Sequence, residues 1–513
     1  MTTSRRTLLA AGAAAGGLAI GAAVAAPAQA ASPAGPDLAG PDPAALVAAD
    51  PIAHLVRRAT FGPTPATLAE AARLGVAGWV DRQLDPAAID DSACEKLLTR
   101  LPLAGASIAR VRATLPVHSY EAFGQLGRAA VARAAWSNRQ LFEMTALFWA
   151  NHLHVAAPSN GGWDSRPDYD AQVTRRHTFG RFADMLAASA RHPAMLTYLD
   201  NRSSTRAHPN ENYARELMEL HTVGMIYTED DVDAAARLLT GLTVGGAGTY
   251  TYDASRHATG AVRILGFRHA NATAGGGEAA ALAFVDYLAH HPATAQRIAT
   301  KLCRRFVADE APASLVAKLA QVYLDHGTAI APVLRALFTS PEFAAATGRK
   351  VRTPLEDLTA TIRALGLGPE RSGTTALDAL YNGLVNAGHA PYRWSPPDGF
   401  PDVAAAWSSP SVFLMKCNSH LNLAAGWYPS RLTRPTDLLK SLVPVRPATY
   451  GGLLDALALR LTGTTLPPAH TAAALSVAGK LPTSPLSAAD KSLAGAGPYL
   501  IAMVLDSPTF QLR

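Results

Sequence analysis

Residues 209–224, Pro-Asn-Glu-Asn-Tyr-Ala-Arg-Glu-Leu-Met-Glu-Leu-His-Thr-Val-Gly, bring together the side chains best suited to chemistry. Glu211, Glu216 and Glu219 supply carboxylates, Arg215 a guanidinium, Asn210 and Asn212 amides, and His221 an imidazole. The spacing predicts one helix with Asn210 as its cap and Gly224 as its stop. A 3.6-residue period then stacks Tyr213, Leu217, Leu220 and His221 on the core side. It pairs Arg215 with Glu219 on the far side and leaves Asn212 and Glu216 together on the flank of the buried stripe. Glu216 and His221 are the natural pair for chemistry, with Arg215 and Asn212 as further catalytic candidates.

A second polar helix inside an apolar one runs from Asn138 to His154. Leu141, Thr145, Phe148 and His152 fall on one face, so His152 also looks inward. Two inward histidines, with Glu216 beside one of them and His257 further on, make a set (His152, His221, Glu216, His257) that could hold a divalent metal ion. The competing reading is a pair of core histidines, each hydrogen-bonded to a carboxylate such as Glu143 or Glu216. Spacing does not decide between them, because Glu216…His221 is neither Glu-x-x-His nor part of a His-Glu-x-x-His. Proton transfer without metal is equally open, since burial and pairing tune a carboxylate beside an imidazole.

Helices must position these groups. Apolar spacing predicts helical segments from 66–84 through 375–387, punctuated by Gly, Pro and Asx. Thr228 and Asp231 form a capping-box variant that opens the helix to Leu239. The exception is 243–270, where alternating apolar residues predict a β-hairpin, either a lid over the site or a cover for the core. From Pro391 to Pro410 a Pro- and aromatic-rich loop with Tyr392, Trp394 and Trp407 could wall a ligand cleft or pack on itself. The expected fold is mainly α, a multi-helix orthogonal or bundle-like domain with a small inserted β-hairpin.

The chain opens with Arg5-Arg6, an Ala/Gly-rich apolar run and Ala28-Gln29-Ala30, the pattern of a twin-arginine (Tat) signal peptide cut after Ala30. The expected organisation is this signal over 1–30, a disordered linker over 31–50, a main helical domain over 51–430 with the hairpin near 243–270, and a C-terminal helical subdomain over 431–513. The Tat route leads to an extracellular or envelope location and permits a cofactor acquired before export. A net charge of +6 falls to +4 once Arg5 and Arg6 are removed, with the basic residues scattered among acids. This argues against nucleic acid and against a polybasic membrane patch, and no stable membrane span is expected after cleavage. Cys94, Cys303 and Cys417 lie too far apart for a Cys metal site and are expected as buried free thiols. There is no Gly-x-Ser-x-Gly elbow, Walker loop or dinucleotide fingerprint.

Several segments carry a family resemblance: His54-Leu55-Val56-Arg57-Arg58-Ala59-Thr60-Phe61-Gly62-Pro63-Thr64, Phe148-Trp149-Ala150-Asn151-His152, His192 to Asp200, and Asn210 to Gly224. Over residues 51–425 the chain resembles the bacterial family known as domain of unknown function 1800. The resemblance implies an exported, largely helical protein, frequently encoded beside a family related to sulfatases and phosphatases, and brings no established reaction. Positions that match are Trp149, Asn151, His152, Asn210, Glu211, Asn212, Arg215, Glu216, Glu219, His221 and His257. His154 departs from the family's phenylalanine, which puts it in doubt as a ligand.

The leading expectation is therefore an exported metal- or cofactor-assisted enzyme acting on an envelope or extracellular substrate. Its rival is a non-catalytic scaffold or accessory subunit that binds a sulfatase-like exported partner. Carbohydrate binding through Tyr392, Trp394 and Trp407 is a third reading.

Overall fold

The computed structural model describes residues 46–513 apart from Ala48, Asn160 and 488–491; the signal-peptide expectation and most of the linker lie outside them. Helices make up 59% of the chain, beside two small two-stranded sheets, so the fold is mainly α as the periodicity predicts. No helix among the described residues is long and apolar enough to cross a membrane.

Five helices matter for the site: α1 (Gln140–His152), α2 (Glu211–Glu216), α3 (Pro292–Phe306), α4 (Pro354–Ala364) and α5 (Pro410–Ala425). Three of them start with proline at the first helical position, where a missing N–H costs nothing. Their caps are the side chains of His291, Thr353 and Ser409, each accepting a backbone N–H. Thr353 and Glu356 complete a reciprocal capping box on α4. Asn210 caps α2 as expected, accepting from the N–H groups of Asn212 and Tyr213.

After Glu216 the chain does not continue as an α-helix. Leu217–His221 is wound as a π-turn, with wider i→i+5 closure. The wider turn changes which residues face inward: Met218 is buried in place of Leu220, while His221 stays buried.

The expected hairpin resolves into two. Strands β1 (Leu242–Val244) and β2 (Tyr250–Tyr252) pair antiparallel, as do β3 (Val262–Ile264) and β4 (Phe267–His269). Leu265 and Gly266 turn the second hairpin with φ of 50° and 92°, the sign a two-residue hairpin turn requires at both positions. Leucine is strained there, and two bonds hold it. Its N–H donates to Asp231 Oδ1 at 2.9 Å, and its carbonyl accepts from the Tyr287 hydroxyl at 2.7 Å. Leu242, Val262 and Ile264 join the main core, so the hairpins cover helices. Asp231 also closes the Thr228 capping box. Asp231→Ala is therefore expected to lose about 1–2 kcal/mol in urea unfolding, more than a cap alone.

The described residues fall in one compact unit, and the helices after residue 431 share its core. The reason is burial: Leu500, Ile501, Val504 and Phe510 belong to the same core as Leu55. The helix Ser492–Leu505 packs on α5 and on Tyr450–Thr462. All three cysteines are free; Cys94 and Cys303 are buried and Cys417 is partly exposed.

Candidate functional site

α1 delivers His152 into an aromatic surround. Its ring lies 5.7 Å from those of Trp149 and Phe182 and stacks parallel to Phe148 at 6.3 Å. The Nε2 atom lies 3.0 Å from the backbone oxygen of His221, and Nδ1 lies 2.9 Å from Nζ of Lys301 on α3. A carbonyl can only accept, so Nε2 carries the hydrogen, and Nδ1 accepts from the amine. Burial, with Lys301 beside it, pushes the acidity of protonated His152 far up, leaving the ring neutral at physiological pH.

His221 lies beside this pair at the end of the π-turn. It is 1% exposed, and its Nε2 has no hydrogen-bond partner among the described residues. Burial, together with Lys301 and Arg297, lowers its pKa to about 3. Lys301 is half-buried and brought to about 7, first by burial and then by Arg297. Its hydrogen bond to His152 is the polar contact it makes among the described residues. Asp398 and Asp402 act on it only from further away. Burial thus keeps both imidazoles neutral and brings the amine to about 7, a set suited to proton transfer near neutral pH.

The 391–410 loop closes this end of α1. Asn151 clamps it through both amide ends: Nδ2 donates to the Phe400 carbonyl at 2.8 Å and Oδ1 accepts the Phe400 N–H at 2.6 Å. Gly399 passes so close that a Cβ would sit 2.2 Å from the Asn151 carbonyl oxygen, and its φ of 76° also favours glycine. His154 pins the loop as well, with Nε2 donating to the Trp394 carbonyl at 2.7 Å. Burial lowers its pKa to about 4. His154 is thus a loop anchor. Trp394 holds Asp398 at 2.9 Å through its indole N–H. Tyr198, whose hydroxyl donates to the Ser395 carbonyl at 2.9 Å, has its pKa raised to about 12 by burial and by the nearby carboxylates of Glu216 and Asp398. Glu216 therefore reaches toward the loop. Tyr392 and Trp407 are buried at 6% and 7% exposure, so two of the three rings expected to bind carbohydrate offer no surface.

Behind the loop lies a buried charge cluster. Glu356 of α4 meets Arg305 of α3 at 2.8 Å and Arg513 at 3.0 Å, and Lys350 meets Asp309 at 2.6 Å and Asp402 at 3.2 Å. Arg305, Glu356, Asp402, Asn151 and His154 help line a cavity of about 80 Å³ between cluster and loop. The cluster fixes Asp402 and with it the position of the loop.

Other expectations need correction. Arg215 does not pair with Glu219. It forks onto Glu229, with contacts of 2.9 and 2.6 Å, because the π-turn carries Glu219 round to accept from the Tyr227 hydroxyl. Asn212 donates from its backbone to Asn210 Oδ1 and from its side chain to the Leu199 carbonyl. His257 lies in the segment between the two hairpins, 2.8 Å from both the Thr240 carbonyl and Asn271 Oδ1, and does not join His152. Among the described residues no three His, Cys, Asp or Glu side chains are grouped to hold a metal ion. His152, Glu216, His221 and His257 are therefore not one donor set, and both ring nitrogens of His152 are already engaged.

Lys301, Arg297 and Asp398 escaped the sequence reading. Lys301 follows Ile298 by three residues, on the edge of the apolar stripe of α3, and that spacing was its one signal.

A family model described as "Protein of unknown function (DUF1800)" matches residues 54–512. The chain belongs to this family. The match extends well past residue 425, taking in the helices that pack on α5, in keeping with a single DUF1800 unit. No curated protein and no solved structure matches the chain.

Proposed function

We propose that this DUF1800 protein is an exported enzyme, acting on an envelope or extracellular substrate, whose site is the polar cluster where α1, the π-turn and α3 meet beside the 391–410 loop. The observation that carries the reading is the 2.9 Å contact between Lys301 Nζ and His152 Nδ1, with the His152 tautomer fixed by the His221 carbonyl. In this reading Lys301 takes and returns a proton, His152 Nδ1 orients the amine, and His221, Glu216 and Asp398 contact the substrate. A divalent-metal version draws less support, because His152 has no free nitrogen to offer an ion. The Arg5-Arg6 leader and Ala28-Gln29-Ala30 support export.

The scaffold reading, with a sulfatase-like exported partner, draws on one feature: Met225 and Ile226, just past the π-turn, are 79% and 54% exposed. Thermal melts separate the two. A lysine whose pKa is lowered on folding costs stability below its unfolded value, so Lys301→Met is expected to stabilise the protein by about 1–3 kcal/mol at neutral pH. A lysine kept for structure would instead give a lower melting point on replacement, and that result would sink the enzymatic reading.

A further inference from the structure

We infer that Lys301 is a nucleophilic amine that forms an imine with a 2-oxo acid, whose carboxylate seats against Arg297 and Nε2 of His221. This deepens, and rests on, the enzymatic reading of the same polar cluster.

The geometry supplies both halves of the ligand. Nζ of Lys301 spends one N–H on His152 Nδ1 and is not neutralised by any carboxylate within ion-pair distance among the described residues. Lys301 is partly exposed as a residue. For the anionic half, Arg297 precedes Lys301 by one helical turn on α3, and its Nε reaches the Leu220 carbonyl next to His221. Arg304 follows at nearly one turn, and its Nε donates to the Asp309 carbonyl. His221 Nε2 is a fully buried polar atom without a partner among the described residues, which is costly unless a ligand satisfies it. The carboxylates that face Lys301, Asp398 and Asp402, are held by Trp394, and by Lys350 and Arg305, respectively. A compound with an electrophilic carbon next to a carboxylate meets the amine and the cationic wall together.

The step balances without a further reactant. The Nζ lone pair adds to the carbonyl carbon, and the carbonyl oxygen takes up a proton to give a carbinolamine. The C–O bond then breaks, and the oxygen leaves as water with the second Nζ hydrogen, leaving C=N. His152 Nδ1 accepts one Nζ–H and so orients the lone pair, and both Nζ hydrogens end on the departing oxygen. The lowered pKa of Lys301 is consistent with an amine uncharged often enough to attack.

The test incubates the full chain with pyruvate and sodium cyanoborohydride at neutral pH and maps the reduced adduct by peptide mass analysis. Lys301 is expected to label about a hundredfold faster than the exposed Lys318 or Lys440, because a much larger share of it is unprotonated. Lys301→Met is expected to remove that adduct alone. Equal labelling of Lys301 and the surface lysines overturns the nucleophile. Labelling by the neutral ketone hydroxyacetone as fast as by pyruvate overturns the acid specificity. If no Lys301 adduct forms while Lys301→Met melts higher, the imine fails and the enzymatic reading stands. If that variant melts lower, the enzymatic reading itself fails.

Discussion

Replacing Glu356 with glutamine is expected to cost about 3–5 kcal/mol, the loss typical of breaking a buried ion pair from one side. Glu356 is 2% exposed and holds Arg305 and Arg513 on one carboxylate oxygen. Burial alone would favour its neutral form, but Arg305, Arg513 and Lys350 outweigh that and hold it ionised far into the acid range. Glutamine can still close the capping box with Thr353, whose N–H donates to Glu356 Oε2 at 3.0 Å. The cost therefore reports the charge and not the cap. Removing it leaves two guanidiniums buried without their shared counter-ion. Urea unfolding of Glu356→Gln, compared with Glu356→Ala, checks this. Alanine should lose about 1 kcal/mol more, the worth of the cap. A Glu356→Gln loss below about 1 kcal/mol would mean that the pairing contributes little. Because Arg305 also faces Asp402 at 3.6 Å, the same variant is expected to loosen the 391–410 loop, seen as faster amide exchange at Phe400.

The second large effect is on the pH dependence of stability. His420 of α5 is fully buried between Asp357 of α4 at 2.9 Å and Asp506 at 2.7 Å. Burial would lower its pKa; the two carboxylates outweigh burial and raise it to about 9. The folded state thus binds a proton that the unfolded chain releases near pH 6.5. The stabilisation is fully present below about pH 6.5 and is lost as pH rises through about 9, amounting to about 3 kcal/mol. Asp357 is held below its usual range despite burial, chiefly by His420; its own contribution disappears only in acid, as pH falls through its lowered value. Lys301 runs the other way: its lowered pKa makes stability rise between about pH 7 and its unfolded value. The measurement is therefore the difference between wild type and His420→Gln across pH 6 to 9.5. That difference should shrink by about 3 kcal/mol toward alkaline pH, and a flat difference would show that His420 carries no extra proton.

Much of the fold was legible because its signals are local. Asn210 caps α2, Thr228 and Asp231 form their box, and Pro292, Pro354 and Pro410 open helices. Each depends on residues within a few positions of one another. The alternation over 243–270 marked strands for the same reason, although one expected hairpin became two around the turn at Leu265 and Gly266. The inward turn of His152 and His221 was also legible, since both lie on apolar helical faces.

The partners of those side chains were not. A π-turn differs from an α-turn by one residue of closure, and nothing in Leu217–His221 announces it. Yet it moved Glu219 onto Tyr227, left Arg215 to Glu229 and exchanged Leu220 for Met218 in the core. Lys301 is 149 positions from His152, and its place at the edge of an apolar stripe is also that of a common surface lysine.

By itself the sequence determined a mainly helical chain, where its helices begin, and which two histidines point inward, because helix periodicity and capping are set by neighbours along the chain. Only the tertiary structure decided that His257 stands apart, that His152 spends both its nitrogens, and that an amine from α3 meets one of them. Hydrogen-bond partnership and desolvation depend on what packing brings from distant segments, and packing also fixed residues 431–513 into the common core.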